Sequence, residues 1–256
     1  MNPVQEEQKR QEDEYQFPYH YVAQMPSDGF RQHYVDTWGL NYVATMDFML
    51  RRIEKLGVRS VIDIGCGDGR FTREIGLRFR ELESVVGVDY SSRAIALADT
   101  LNAGLPNVAF AKSDIIAEST DRIFDCAVLM EVFEHIPLDD TQKFLHAVRN
   151  RICTNGTLLL TVPHANKPLE YKHFQHFTIE TLTRELANEF EIEEIVPFEK
   201  GGFRRRLINR LLCNRFFVLN NPGLLNKLYR YQEKNLFHCA SEDSCQRLFV
   251  QARVRR

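Results

Sequence analysis

The chain has 256 residues, 44% hydrophobic and 27% charged, with 33 Lys and Arg against 35 Asp and Glu for a formal charge of −2. That balance excludes a disordered chain and argues against a surface that wraps nucleic acid throughout; the length suits one large domain, at roughly 100–200 residues per domain. No apolar run approaches the roughly 20 residues that span a bilayer, and the opening MNPVQEEQKRQEDEY is too polar for a signal peptide. Cys66, Cys126, Cys153, Cys213, Cys239 and Cys245 are scattered without paired spacing, so a reduced, cytoplasmic setting is expected.

In chain order, residues 1 to about 16 are charged and aperiodic, and an aromatic-rich stretch follows (Tyr19, His20, Tyr21, Phe30, His33, Tyr34, Trp38). Residues 1–40 are therefore read as a tail and an aromatic cap, with His20 and His33 as candidates for an acceptor site. Residues 41–56 are amphipathic at helical spacing and end at Gly57. An alternation then begins: strands at 60–65, 84–89, 108–114, 124–130, 156–163 and 191–198, with helices at 71–79, 92–102, about 139–151 and 180–190. Residues 245–255 alternate with period two and read as a final strand, at an edge beside the sixth. Strands alternating with helices predict a parallel, doubly wound α/β sheet with right-handed crossovers, here as one domain over 41–256.

Residues 203–240 interrupt the last two strands and are read as an inserted helical cover. Within 203–235, eight basic residues (204, 205, 206, 210, 215, 227, 230, 234) stand against one acid, Glu233, a local charge of +7. Leucines recur at helical spacing on both sides of Asn221-Pro222-Gly223, which predicts two helices. Three uses stay open. One is a solvated cover with its arginines outward. Another is contact with an anionic or lipid-linked acceptor, or with a membrane surface. The third is nucleic acid, which no module in the chain supports.

The densest signal is Val61-Ile62-Asp63-Ile64-Gly65-Cys66-Gly67-Asp68-Gly69-Arg70-Phe71, an apolar strand running into three alternating glycines and a helix. A dinucleotide turn of the GxGxxG type fails here, because Arg70 holds the third glycine's place. Asp63, at the end of the strand, would repel a pyrophosphate and suits a cationic ligand instead.

That D-x-G-x-G-x-G pattern resembles motif I of the class I S-adenosylmethionine-dependent methyltransferases. Asp89 ends the second strand, where the resemblance implies an acid on the ribose hydroxyls; a carboxylate accepts from both hydroxyls of a cis-diol. Asp114 ends the third strand, where the family holds the adenine amino group beside an apolar neighbour, here Ile115. Glu131 falls in the motif IV region after the fourth strand. The resemblance implies S-adenosyl-L-methionine as cofactor, held by Asp63, Gly65, Cys66, Gly67, Asp89, Tyr90, Asp114, Ile115 and Glu131. It also implies a mostly parallel, seven-stranded Rossmann-like sheet with an antiparallel final strand.

Glu131, Glu134 and His135 lie in MEVFEHIP at the mouth of the fourth strand. On one helical turn the three share a face, and two carboxylates and an imidazole can hold a divalent cation. A fourth ligand is available in His173 or His176, with His176 preferred. The ExxEH pattern followed by a His resembles the metal site of the small-RNA 3′-terminal 2′-O-methyltransferases and an acidic cluster of the ubiquinone-pathway O-methyltransferases. A metal-free role for His135 as general base or pocket residue, with Glu131 beside it, and a purely structural histidine stay open. His164 and His146 are read as pocket-edge and surface residues. The expectation is O-methylation of a small-molecule hydroxyl, on a sugar, phenol or quinol. The alternatives are metal-assisted methylation of an RNA 3′ end, nucleic acid being otherwise an unlikely partner on this charge balance, and a binding protein without turnover.

Overall fold

The computed structural model describes residues 39–212, 214, 216, 217, 219 and 221–255; the aromatic cap, with His20 and His33, lies outside them. Seven strands form one sheet: β1 (Ser60–Ile64), β2 (Ser84–Asp89), β3 (Val108–Lys112), β4 (Phe124–Met130), β5 (Ile152–Pro163), β6 (Phe190–Lys200) and β7 (Cys245–Val254). Their order is β3-β2-β1-β4-β5-β7-β6. The first five run parallel, and β7 runs antiparallel to both β5 and β6. The helices are α1 (Gly39–Leu56), α2 (Arg70–Arg78), α3 (Ser92–Leu101), α4 (Thr141–Arg149), α5 (Ile179–Leu186), α6 (Phe203–Leu212) and α7 (Pro222–Gln232). This is the doubly wound, Rossmann-like arrangement expected. Its strand order reverses between β1 and β4, which places the crevice for a ligand outside the carboxyl ends of those strands.

One strand stands elsewhere than its sequence suggests. β7 is not at the edge: it lies between β5 and β6, and β6 takes the edge. The reason is burial on both faces. Leu248, Val250 and Ala252 join the core on one side of the sheet while Phe249 joins the core on the other, so the period-two pattern marks two covered faces. β6 carries Glu191, Glu193 and Glu194 and includes Pro197, which has no N–H for a second ladder; both features suit an edge strand. Boundaries also move. β3 ends at Lys112, which leaves Asp114 two residues beyond the strand it was expected to end. β5 starts at Ile152, and the helix expected over 139–151 is a 3₁₀ turn, Leu138–Asp140, followed by α4.

α1 and α2 cover one face through Phe48, Met49, Ile53, Phe71 and Ile75; α4 and α5 cover the other through Phe144, Leu145, Val148, Leu182 and Leu186. Each such side chain contributes about 1.5–3 kcal/mol of transfer free energy. Phe48 meets the rings of Phe198, Phe237 and Phe249, with the last at 4.9 Å edge-on, which ties α1 to β6 and β7. No helix among the described residues is long and apolar enough to cross a membrane.

Candidate active site

The turn between β1 and α2 is built mostly from backbone. The N–H groups of Gly65 and Cys66 both donate to the Val88 carbonyl, at 2.8 and 3.0 Å. Gly65 sits at φ 74°, and a Cβ there would stand 2.6 Å from Cγ2 of Val132. Only glycine satisfies both conditions, the left-handed backbone and the close approach of the β4 exit. Asp89 receives the Gly67 N–H on one carboxylate oxygen (3.0 Å) and the Ser91 N–H on the other (2.8 Å).

Asp63 is fully buried and accepts from the Thr72 hydroxyl at 2.6 Å. Burial raises its carboxyl to about 6, the Thr72 hydrogen bond opposes the rise, and the charge of Asp89 adds to it. Asp63 therefore tethers the turn to α2, and Thr72 is a partner that sequence reading missed. Tyr42 of α1 was missed too. Burial, then the charges of Asp68 and Asp63, pushes its phenol well above the ordinary value, and its side chain packs against the core on the α1 side of the sheet. Asp114 is exposed and accepts from the Ile116 and Ala117 N–H groups, while Ile115 beside it is buried; Tyr90 is half-buried after β2. Cys66 is a buried thiol, and burial, then the neighbouring carboxylates Asp63 and Asp89, push it upward. Arg70, the one cation of the turn, is exposed and pairs with Glu74 at 3.2 Å. Two buried carboxylates and no buried cation at the turn, among the described residues, fit a cationic nucleoside better than a pyrophosphate.

At the exit of β4 the expected shared helical face does not form. Glu131 has φ 59°, in the left-handed region, and the 3₁₀ turn Phe133–His135 begins beyond it. Glu131 accepts from Arg247 Nε at 2.6 Å on one oxygen, and its other oxygen is buried with no hydrogen-bond partner among the described residues. The chain buries Phe133 against Phe177, stacked at 5.1 Å and 7°, and this anchors Glu134 and His135. The structure brings together Glu134, His135 and His173, whose ligand atoms all lie within 4.8 Å of one another. Glu131 is outside that group, and His176 stands behind it.

The tautomers follow from the hydrogen bonds. His176 Nδ1 lies 3.2 Å from the Lys167 carbonyl, which only accepts, so Nδ1 carries the hydrogen and Nε2 a lone pair. That Nε2 lies 2.8 Å from His173 Nδ1, which must donate, so His173 Nε2 carries a lone pair. His135 Nδ1 lies 2.9 Å from the Lys172 carbonyl and donates, which makes its Nε2 basic as well. Burial, then the neighbouring His135, lowers His173 to about 3, so it is neutral at ordinary pH. Glu134 is 1% exposed and its Oε2 has no hydrogen-bond partner among the described residues. Burial, then Glu131, pushes its carboxyl well above the ordinary range. A buried carboxyl group with one orphaned oxygen, grouped within 4.8 Å with two imidazoles, is a donor set that a divalent cation would satisfy.

Beyond Glu131 runs a chain of ion pairs. Arg247 of β7 bridges Glu131 and the buried Glu199, and Arg205 of α6 pairs with Glu199 from the other side. The insert is thus not a cover with all its arginines outward. Arg205 turns in to give the carboxylate of Glu199, 4% exposed, a second cation beside Arg247. An arginine in the apolar run of β7 was the one sequence signal of this chain. His164 is buried and pairs with Glu242 at 3.2 Å, pinning the end of β5; His146 is exposed.

A family model described as a methyltransferase domain matches residues 42–195. The chain is 31% identical over 147 residues to trans-aconitate 2-methyltransferase of Deinococcus radiodurans, covering 57% of this chain and 48% of that protein. It is 30% identical over 112 residues to ubiquinone biosynthesis O-methyltransferase of Paracidovorax citrulli, covering 42% and 45%. The chain spans about half the length of these curated relatives. In fold it is similar to the N-methyltransferase NodS of Bradyrhizobium japonicum WM9, solved with S-adenosyl-L-homocysteine, at a TM-score of 0.61 and 15% identity over the whole of both chains.

Proposed function

Because the chain belongs to this methyltransferase-domain family, of the class I S-adenosylmethionine-dependent kind, we propose that it O-methylates the hydroxyl of a small molecule such as a sugar, phenol or quinol. The cofactor, when bound, supplies a methyl group on a cationic sulfur, open to attack by an acceptor lone pair. Asp89 would take the ribose hydroxyls and Ile115 with Asp114 the adenine, while the carboxylates of the β1 turn complement the positive charge. The acceptor needs alignment and loss of a proton.

One observation supports the reading: His135 is held with Nδ1–H on the Lys172 carbonyl, which makes Nε2 the unprotonated nitrogen of the neutral ring. Two residues separate it from Val132, which packs over Gly65, so base and cofactor turn share one wall. A hydroxyl needs such a base; an acceptor that is already ionised, such as a carboxylate, does not. His135→Ala is therefore expected to lower turnover about 10²–10⁴-fold while S-adenosylmethionine affinity by calorimetry stays within twofold. The assay is transfer of a labelled methyl group into metabolite extracts. Equal losses in turnover and affinity, or no loss of turnover, would refute the base.

The orphaned Oε2 of Glu134 favours a second reading, in which a divalent cation on Glu134, His135 and His173 polarises the acceptor oxygen, on a small molecule or at an RNA 3′ end. Activity that survives a chelator keeps the first reading; activity abolished by it and restored by manganese selects the second. We place the reaction in the cytoplasm, where Cys66, Cys126, Cys153, Cys239 and Cys245 remain free thiols.

A further inference from the structure

Helix α6 has two apolar faces. Its inner face, Ile208 and Leu212, packs with Leu236 into a small core shared with Leu40, Leu225 and Leu228. Its outer face carries Phe203, Leu207 and Leu211, four residues apart, at 73, 47 and 47% exposure. Phe217 beyond the helix and Leu224 at the start of α7 are exposed as well. A helix that needs one apolar stripe to fold and presents a second to solvent marks a contact surface. Arg204, Arg206 and Arg210 flank this stripe, Lys227 and Arg230 stand on α7, and all five are exposed. No Asp or Glu occurs between Glu199 and Glu233, and with +7 on residues 203–235 the rest of the chain carries −9.

We propose that this face docks on the surface of an anionic phospholipid bilayer. Leucine and phenylalanine side chains fit the acyl boundary just beneath the headgroups, while guanidinium and ammonium groups on long stems reach back to the lipid phosphates. The division of charge orients the molecule, because the acidic remainder is repelled by the same surface that attracts the insert. A polyanion such as RNA would use the arginines and leave the apolar stripe in water, so the stripe decides for a bilayer. The docking face belongs to the helix whose Arg205 reaches the ion chain at Glu131, so an amphiphilic acceptor held in the bilayer would arrive beside the mouth of the site. The docking itself does not depend on the acceptor assignment and is tested without methyl transfer.

The experiment is co-sedimentation of the full chain with vesicles of equal parts phosphatidylglycerol and phosphatidylcholine, and with phosphatidylcholine alone. Binding to the anionic vesicles is expected to exceed binding to the neutral ones about tenfold or more, and to weaken as salt is raised. Phe203→Glu/Leu207→Glu/Leu211→Glu is expected to abolish sedimentation with wild-type circular dichroism. Arg204→Gln/Arg206→Gln/Arg210→Gln, which leaves the apolar stripe intact, is expected to remove the preference for anionic lipid. The proposal is overturned if the full chain ignores both vesicles, or if it and both variants sediment alike. Binding of a duplex RNA without vesicle binding overturns it in favour of nucleic acid. A dimer that the glutamate variant dissolves, again without vesicle binding, overturns it in favour of a second copy of the chain.

Discussion

The two walls of the site are made by different means. The cofactor turn is secured by backbone: two N–H groups on one carbonyl, a glycine at φ 74° and a carboxylate collecting N–H groups, with its partners at β1 and β2. The proposed acceptor mouth is secured by charged side chains drawn from the β4 exit, β6, β7 and α6, far apart in sequence. A backbone device constrains which residue can stand at a position; an ion chain constrains which residues must be present together. The first wall should therefore fail at single glycines, and the second at single charges whose loss a paired neutralisation repairs.

The largest effect is expected at Arg247. Arg247→Met leaves Glu131 without its cation and the buried Glu199 with Arg205 alone, a loss of about 3 kcal/mol, read by urea unfolding. Glu131→Gln/Arg247→Met should recover more than half of it, because the stranded charge at Glu131 is gone while Arg205 still pairs with Glu199. A single-variant loss below about 1 kcal/mol would show that the chain is a surface ornament and break the contrast. Next comes Gly65→Ala, at about 2–4 kcal/mol from left-handed backbone and overpacking together, with loss of S-adenosylmethionine binding. Adding Val132→Ala should return only the packing part. Full rescue would mean that the backbone angle carries no constraint.

The same contrast decides what the sequence discloses. The turn is legible because its causes are local: the glycines, the apolar strand and Asp63 lie within ten residues, and the positions of Asp89 and Asp114 follow from the strand rhythm. The acceptor mouth is only half legible. MEVFEHIP and KHFQH announce a cluster, but the left-handed backbone at Glu131 removes that carboxylate from it. Which histidine stands in front depends on a carbonyl at Lys167, which no side-chain pattern records. Glu199 and Arg205 are invisible, since their pairing depends on β6, β7 and α6 meeting in space. The same blindness put β7 at the edge: alternation shows that faces differ, not that both are covered.

Smaller effects sharpen the comparison inside the first wall, where Asp63 is the exception, a charge in a backbone device. Its folded value of about 6 exceeds the ordinary 3.8, so between those values the native state holds more protons than the unfolded one. Stability from this group therefore falls as pH rises through that window and stays low above it. Asp63→Asn should raise stability at pH 7 by on the order of 2–3 kcal/mol, with the gain vanishing below about pH 4, while cofactor binding weakens. A gain that persists in acid would mean packing, not charge, is responsible. Smallest is Thr72→Val, which keeps the shape but withdraws the hydroxyl that favours the ionised carboxyl; the expected loss is about 1 kcal/mol at neutral pH. Without that donor the folded carboxyl titrates higher, so the falling limb of the stability curve should extend to higher pH. A limb that stays in place would mean that Asp63 is set by burial alone and that Thr72 only fills space.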